Sequence, residues 1–184
     1  MWWLLVTSGL LAQAAAQEVP LSAGPTGAAE VNPSVPFVQT PQRVVEAMLA
    51  LAHVGPGDVV YDLGSGDGRI VVTAARQHGA RAVGVELHPQ LVTLARQRAR
   101  EAGVEARTEF RQEDLLETDL REATVVTLYL GQVLNEKLRP RLLAELRPGT
   151  RIVSRAFSMG EGWKPERVVR AAGSTLYLWR VPAR

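Results

Sequence analysis

An acid placed two residues ahead of a glycine-rich turn is the most informative feature of this chain. In Asp62-Leu63-Gly64-Ser65-Gly66-Asp67-Gly68 the glycines alternate, so bare backbone can approach a ligand closely. A turn of this kind, leaving a strand and opening a helix, aims its amides at the ligand. The dinucleotide fingerprint G-x-G-x-x-G begins the same way, but Arg69 stands where its third glycine belongs. Gly68 sits one place earlier instead. Asp62 at the strand end suits a ligand with a cationic amino-acid tail better than it suits a diphosphate.

Three further residues fit such a ligand. Glu86 closes a second β-branched run, 24 positions after Asp62 (62 to 86), where an acid accepts hydrogen bonds from ribose hydroxyls. Asp114 follows a third run, in Gln112-Glu113-Asp114-Leu115. It can accept from an exocyclic amine while Leu115 packs on the base, with Glu113 and Glu117 as competitors. Tyr129 ends the fourth run. Its ring face could line a channel for an amine through attraction to a cation. A nucleoside with a cationic tail and a transferable group is S-adenosylmethionine, and the acid-x-G-x-G-x-G order is the pattern of methyltransferases that bind it.

These residues need a scaffold that brings strand ends together. Thr40-Pro41 reads as an N-cap with proline at the first helical position, followed by an apolar stripe at Val44, Val45, Met48, Leu49 and Ala52. Residues 58–63 read as a buried strand. Ile70, Val71, Ala74 and Ala75 mark a helix ending near Gly79. Residues 81–86 read as a second strand. Pro89 opens a helix with Leu91, Val92, Leu94 and Ala95 inward. Strands follow at 107–111, 123–130 and 151–157. A helix over 133–146 carries Leu134, Leu138, Leu142, Leu143 and Leu146. Two runs, 168–172 and 175–181, flank Gly173-Ser174 as a closing antiparallel hairpin. Alternation of this kind predicts an α/β fold, a doubly wound, mainly parallel sheet. Ligands in such folds sit beyond the carboxyl ends of the strands, where Asp62, Glu86, Asp114 and Tyr129 all fall.

Composition narrows the chemistry. The 184 residues suffice for one domain, and 46% hydrophobic with 22% charged residues is ordinary for a globular protein. There is no cysteine, which removes disulfides, thiolate metal sites and a cysteine nucleophile. His53, His78 and His88 lack ligand spacing, so no metal is expected. A net charge of +2 gives no strong nucleic-acid signal. Only Lys137 and Lys164 among the 21 basic residues are lysines, a habit of composition rather than a basic patch.

The N-terminus differs in kind. Residues 1–16 carry a short apolar run, Trp2 to Val6 and Leu10 to Ala12, then small residues in the A-x-A arrangement of an export signal. No Lys or Arg precedes the run, and it is shorter than the ~20 residues a spanning helix needs. Export or a membrane tether is the expectation, with a cytoplasmic location as the alternative. Residues 17–35 are a proline- and glycine-broken linker, and 36–184 form the domain.

The segments Pro36-Phe37-Val38-Gln39-Thr40-Pro41, Tyr61 to Arg69 and Val83-Gly84-Val85-Glu86-Leu87 together resemble the protein lysine methyltransferases related to the ATP synthase c-subunit lysine methyltransferase. The resemblance runs on through Leu138-Arg139-Pro140 and Arg151-Ile152-Val153-Ser154. It implies S-adenosylmethionine as cofactor, held by Asp62, Gly64, Gly66, Glu86 and Asp114 with Leu87 and Leu115 alongside. It also implies that Phe37 to Thr40 folds over the cofactor and that the acceptor is a protein lysine, conceivably in a membrane protein. A monomer is expected. The chemistry would be in-line displacement onto a neutral amine, which asks for positioning and desolvation more than a general base. Residues 127–131 lack the N-P-P-Y type motif that binds amide edges, which disfavours such acceptors. Three rivals stand beside this reading: a methyltransferase of a small molecule or RNA, a nicotinamide oxidoreductase, and a non-catalytic nucleoside-binding module.

Overall fold

The computed structural model describes residues 38–184. The segment expected to serve as an export signal or tether, the linker, Pro36 and Phe37 lie outside the described residues. Seven strands form one sheet in the order β3-β2-β1-β4-β5-β7-β6. β1 (Val59–Leu63), β2 (Arg81–Glu86), β3 (Thr108–Gln112), β4 (Val125–Leu128) and β5 (Arg151–Arg155) are parallel. β6 (Arg167–Ala171) and β7 (Ser174–Arg180) pair antiparallel, and β7 inserts between β5 and β6. Ala172 and Gly173 both have positive φ, 50° and 80°, the backbone that a two-residue hairpin requires.

Side-chain alternation sorts the sheet into two layers. Val60, Ala82, Val125, Val153, Leu176 and Leu178 face a core shared with α1 (Gln42–Leu51), α2 (Arg69–His78) and α3 (Pro89–Glu101). Tyr61, Leu63, Val83, Val85, Val126, Leu128, Ile152 and Trp179 face the other core, covered by Leu138, Leu142 and Leu146 of α4 (Gln132–Glu145) and its C-terminal end. Helices therefore cover both faces, as expected for a doubly wound fold. Strand order reverses between β1 and β4, and the ligand crevice of such a sheet opens there.

Several local expectations are corrected. Pro41, not Thr40, is the N-cap of α1, and no side chain caps it. The Thr40 hydroxyl is engaged by Arg155 instead, at 3.2 Å. Leu94 points outward. The buried stripe of α3 is Val92, Ala95 and Ala99, because inward spacing there is three and four rather than adjacent pairs. β4 stops at Leu128, so Tyr129 and Leu130 leave the ladder at the sheet edge. β5 stops at Arg155 because Ala156 adopts φ 66° and turns the chain out.

Candidate active site

The glycine loop owes its path to three left-handed residues, Gly64 (φ 77°), Gly66 (54°) and Gly68 (78°). A Cβ on Gly68 would lie 2.7 Å from Ala95 and 2.8 Å from Phe110, so the loop packs directly on α3 and β3. The amides of Gly64 and Ser65 both donate to the Val85 carbonyl at 2.9 Å, fixing the loop to β2. Beside it, the buried hydroxyl of Ser65 has no partner among the described residues.

Two carboxylates converge on this loop. Glu86, 8% exposed, accepts from the amide of Gly66 through Oε2 and from that of His88 through Oε1, both at 2.9 Å. Both bonds lock its orientation and leave lone pairs free on each oxygen. Asp62, 3% exposed, accepts from the Thr127 hydroxyl at 2.7 Å. Burial, opposed by that hydrogen bond and reinforced by the charges of Glu86 and Asp67, pushes its carboxyl up to about 7. Asp67 stands opposite in character. Burial raises it too, but Arg69 at 2.6 Å and Arg98 at 2.8 Å hold it below the ordinary aspartate range.

The loop after β3 presents Asp114 and Leu115. Asp114 Oδ1 accepts from the Leu116 amide at 2.8 Å, leaving Oδ2 available. Glu113 likewise accepts on one oxygen, from the Thr118 hydroxyl at 3.0 Å, and Glu117 is exposed. Arg141 of α4 ties this loop down, donating to the carbonyls of Leu115, Leu116 and Thr118. Leu115 is half-buried, whereas Leu87 is 54% exposed at the rim.

Thr40 is buried between two arginines. Arg69 donates to its carbonyl at 2.7 Å and Arg155 to its hydroxyl. The segment before α1 is thus pinned to the glycine loop on one side and to β5 on the other. Tyr129 lies beside it, with Arg155 over its ring at 4.2 Å and Phe157 stacked at 6.2 Å. The ring face proposed for an incoming cation is therefore already covered by a resident one. Asn135, fully buried in α4, holds this corner by donating to Ser154 and to the carbonyls of Phe157 and Ser158.

Thr127, Arg141, Asn135 and Arg155 were not singled out by sequence reasoning. Thr127 had a signal, as a polar residue inside an apolar strand in register with Asp62. The arginines had none, because the loop carbonyls that Arg141 holds and the hydroxyls that Arg155 holds are 19 to 115 residues away.

The parts fit a nucleoside with a cationic tail. Two carboxylates and an unpartnered hydroxyl surround a glycine loop whose own amides are tied to Val85 and Glu86, and above Gly131 nothing lies within 4 Å of a Cβ position. Among the described residues no group of acids and histidines could hold a metal. Fold and site together define a class I S-adenosylmethionine-dependent methyltransferase. The chain belongs to the family of the ANTKMT methyltransferase domain, whose model matches residues 62–167. It is 43% identical to a protein-lysine N-methyltransferase of Saccharolobus islandicus, over 80% of this chain and 94% of that one. It is 41% identical to the adenine nucleotide translocase lysine N-methyltransferase of Mus musculus, over 80% of this chain but only 63% of the longer mouse protein. Among solved structures, an RNA methyltransferase from Salinibacter ruber bound to S-adenosyl-L-homocysteine matches with a TM-score of 0.78 and 57% identity, over 80% and 95% of the two chains.

Proposed function

We propose that this chain transfers a methyl group from S-adenosylmethionine to the side-chain amine of a protein lysine. The observation that carries it is the division of labour at the strand ends. Carboxylates gather at β1 and β2, where a cationic nucleoside would be held, and among the described residues no histidine or carboxylate contacts Tyr129 at the aromatic corner after β4. A neutral amine needs no base to attack, so the corner has only to position and exclude water. Asp62 would receive the cofactor's ammonium, Glu86 the ribose hydroxyls and Asp114 the adenine amine, with Gly64 and Gly66 giving close approach. Leu87 and Leu115 would flank the base, and Thr40 would close the pocket. The bound cofactor supplies the electrophilic methyl. Protein-lysine methyltransferases among the relatives support the acceptor class.

A second reading is RNA methylation, favoured by the Salinibacter relative. Two of the three arginines of α3 do not support it. Arg98 pairs with Asp67 and Arg96 donates to the Phe110 carbonyl, so neither is a free phosphate ligand.

The test is label transfer from tritiated S-adenosylmethionine by the full chain, offered total protein and total RNA separately. Label that survives ribonuclease and appears as methyl-lysine on hydrolysis supports the proposal. Label confined to RNA refutes it.

A further inference from the structure

Arg155 is an unusual group to find at an acceptor corner. Leu128 and Ser154 are register partners on β4 and β5, so Tyr129 and Arg155, one step further on, emerge side by side at the carboxyl edge. Its guanidinium covers Tyr129, while its hydrogen bonds go to neutral oxygens: Nη1 to Thr40 Oγ1 and Nε to Ser174 Oγ, each at 3.2 Å. The other site arginines, Arg69 and Arg98, are neutralised by Asp67. Arg155 has no carboxylate ion pair among the described residues.

We infer that Arg155 walls the methyl-acceptor channel and holds the acceptor lysine in its neutral form. This rests on the lysine reading above. A guanidinium does not lose its proton in proteins, and it has taken the electron-rich ring face that would otherwise welcome an ammonium. An entering amine meets fixed positive charge. In the partly desolvated corner a unit charge at van der Waals range lowers an amine's pKa by about one unit or more.

None of the surrounding groups among the described residues forms an ion pair with it. β4 contributes the Tyr129 hydroxyl, β7 the Ser174 hydroxyl and the segment before α1 the Thr40 hydroxyl. On α4, Glu136 reaches the same loop near Gly160, where its carboxylate accepts from Gln132 at 2.6 Å and keeps its charge without pairing with Arg155. Asp62 is two strands away on β1 and engaged by Thr127. In the transfer step the amine lone pair forms the new N–C bond as the S–C bond breaks, and that bond's electron pair stays on sulfur. The methylated nitrogen then carries the positive charge and passes a proton to water, a release that Arg155 also favours.

The experiment compares the full chain with Arg155→Gln and Arg155→Lys. The acceptor is a random peptide pool carrying one central lysine, with an arginine-centred pool as control. The readout is kcat against pH at saturating acceptor, since that profile reports groups in the bound complex. Wild type should show a midpoint below the free-lysine value of about 10.4. Arg155→Gln should move it up by about one unit, losing roughly tenfold in kcat at pH 7.5 and progressively less toward pH 10. Arg155→Lys should follow wild type, and any loss of S-adenosylhomocysteine affinity from loosening the Thr40 segment, read by calorimetry, should be the same at every pH. A midpoint unmoved in Arg155→Gln, or a loss equal at every pH, overturns the inference while leaving lysine methylation standing. Failure of wild type to label the lysine pool while still binding S-adenosylhomocysteine overturns the lysine reading and the inference with it.

Discussion

Asp62→Asn should stabilise the free protein while weakening its hold on the cofactor. In the folded chain the Asp62 carboxyl is pushed up to about 7 because it is buried beside Glu86 and Asp67, against an ordinary aspartate value of 3.8. Between those two values the unfolded chain gives up its proton while the folded chain retains it. Stability therefore falls as pH rises, by about 1.4 kcal/mol per unit, reaching a cost of about 4 kcal/mol above pH 7. Asparagine cannot ionise, and its Oδ1 can still accept from Thr127. The variant should gain about 2–4 kcal/mol at pH 8.5, or roughly 5–15 °C in melting temperature for a domain of this size. At pH 5 about 2–3 kcal/mol of that gain should be missing, because most of the cost has not yet accrued there. Its affinity for S-adenosylhomocysteine should drop by about 1–3 kcal/mol, through loss of a buried charged partner for the ammonium. Thermal melts at both pH values and calorimetric titration read the two effects separately. A variant less stable than wild type at pH 8.5 would refute the account of a carboxylate held at a cost for its ligand, and undiminished affinity would remove Asp62 from the cofactor site.

Wild-type affinity for S-adenosylhomocysteine should rise about tenfold per pH unit below pH 7 and level off above it, since only ionised Asp62 pairs with the ammonium; calorimetry from pH 5.5 to 8.5 checks this. Gly68→Ala should cost about 2–4 kcal/mol in denaturant unfolding, because φ 78° is unfavourable to alanine and its Cβ would meet Ala95 and Phe110. Arg141→Met should weaken cofactor binding by about 1–2 kcal/mol without touching Asp62 or Glu86, since it frees three carbonyls of the Asp114 loop; titration with adenosine alone should show the same loss. Tyr129→Phe should leave kcat within about twofold, because the ring under Arg155 remains, whereas Tyr129→Ala should lower it about tenfold or more through lost positioning.

The fold was legible because each element carries its own signal. β2 runs over residues 81–86 as its β-branched pattern indicates, and Gly79 stops α2 in a left-handed conformation. The placement of the residues proposed for the cofactor was legible for a related reason. Asp62, Gly64, Gly66 and Glu86 are tied to chain landmarks, a strand end and the turn after it, so their spacing along the sequence survives folding. Leu94 and Thr40 were misplaced where two local rules competed. An apolar residue on α3 has no inward neighbour at its angle, and a good capping residue is drawn off by a distant arginine.

The acceptor side was illegible for a physical reason. Its residues act through partners far along the chain. Arg155 reaches Thr40 across 115 positions, and Asn135 reaches Phe157 and Ser158 across 22 and 23. Nothing local distinguishes Arg155 from the other arginines of an arginine-rich chain until β5 sets it beside Tyr129. This asymmetry follows from what each side must recognise. The cofactor half binds a fixed molecule, and a strand–turn–helix suffices to present amides and acids to it. The acceptor half must hold an amine that varies in context and be neutral at the moment of attack. Charge placement relative to an aromatic wall then matters more than any contiguous motif. Substitutions at Arg155, Phe157 and Asn135 should accordingly change which amines are methylated and at what pH, while substitutions at Asp62 and Glu86 should act first on cofactor affinity.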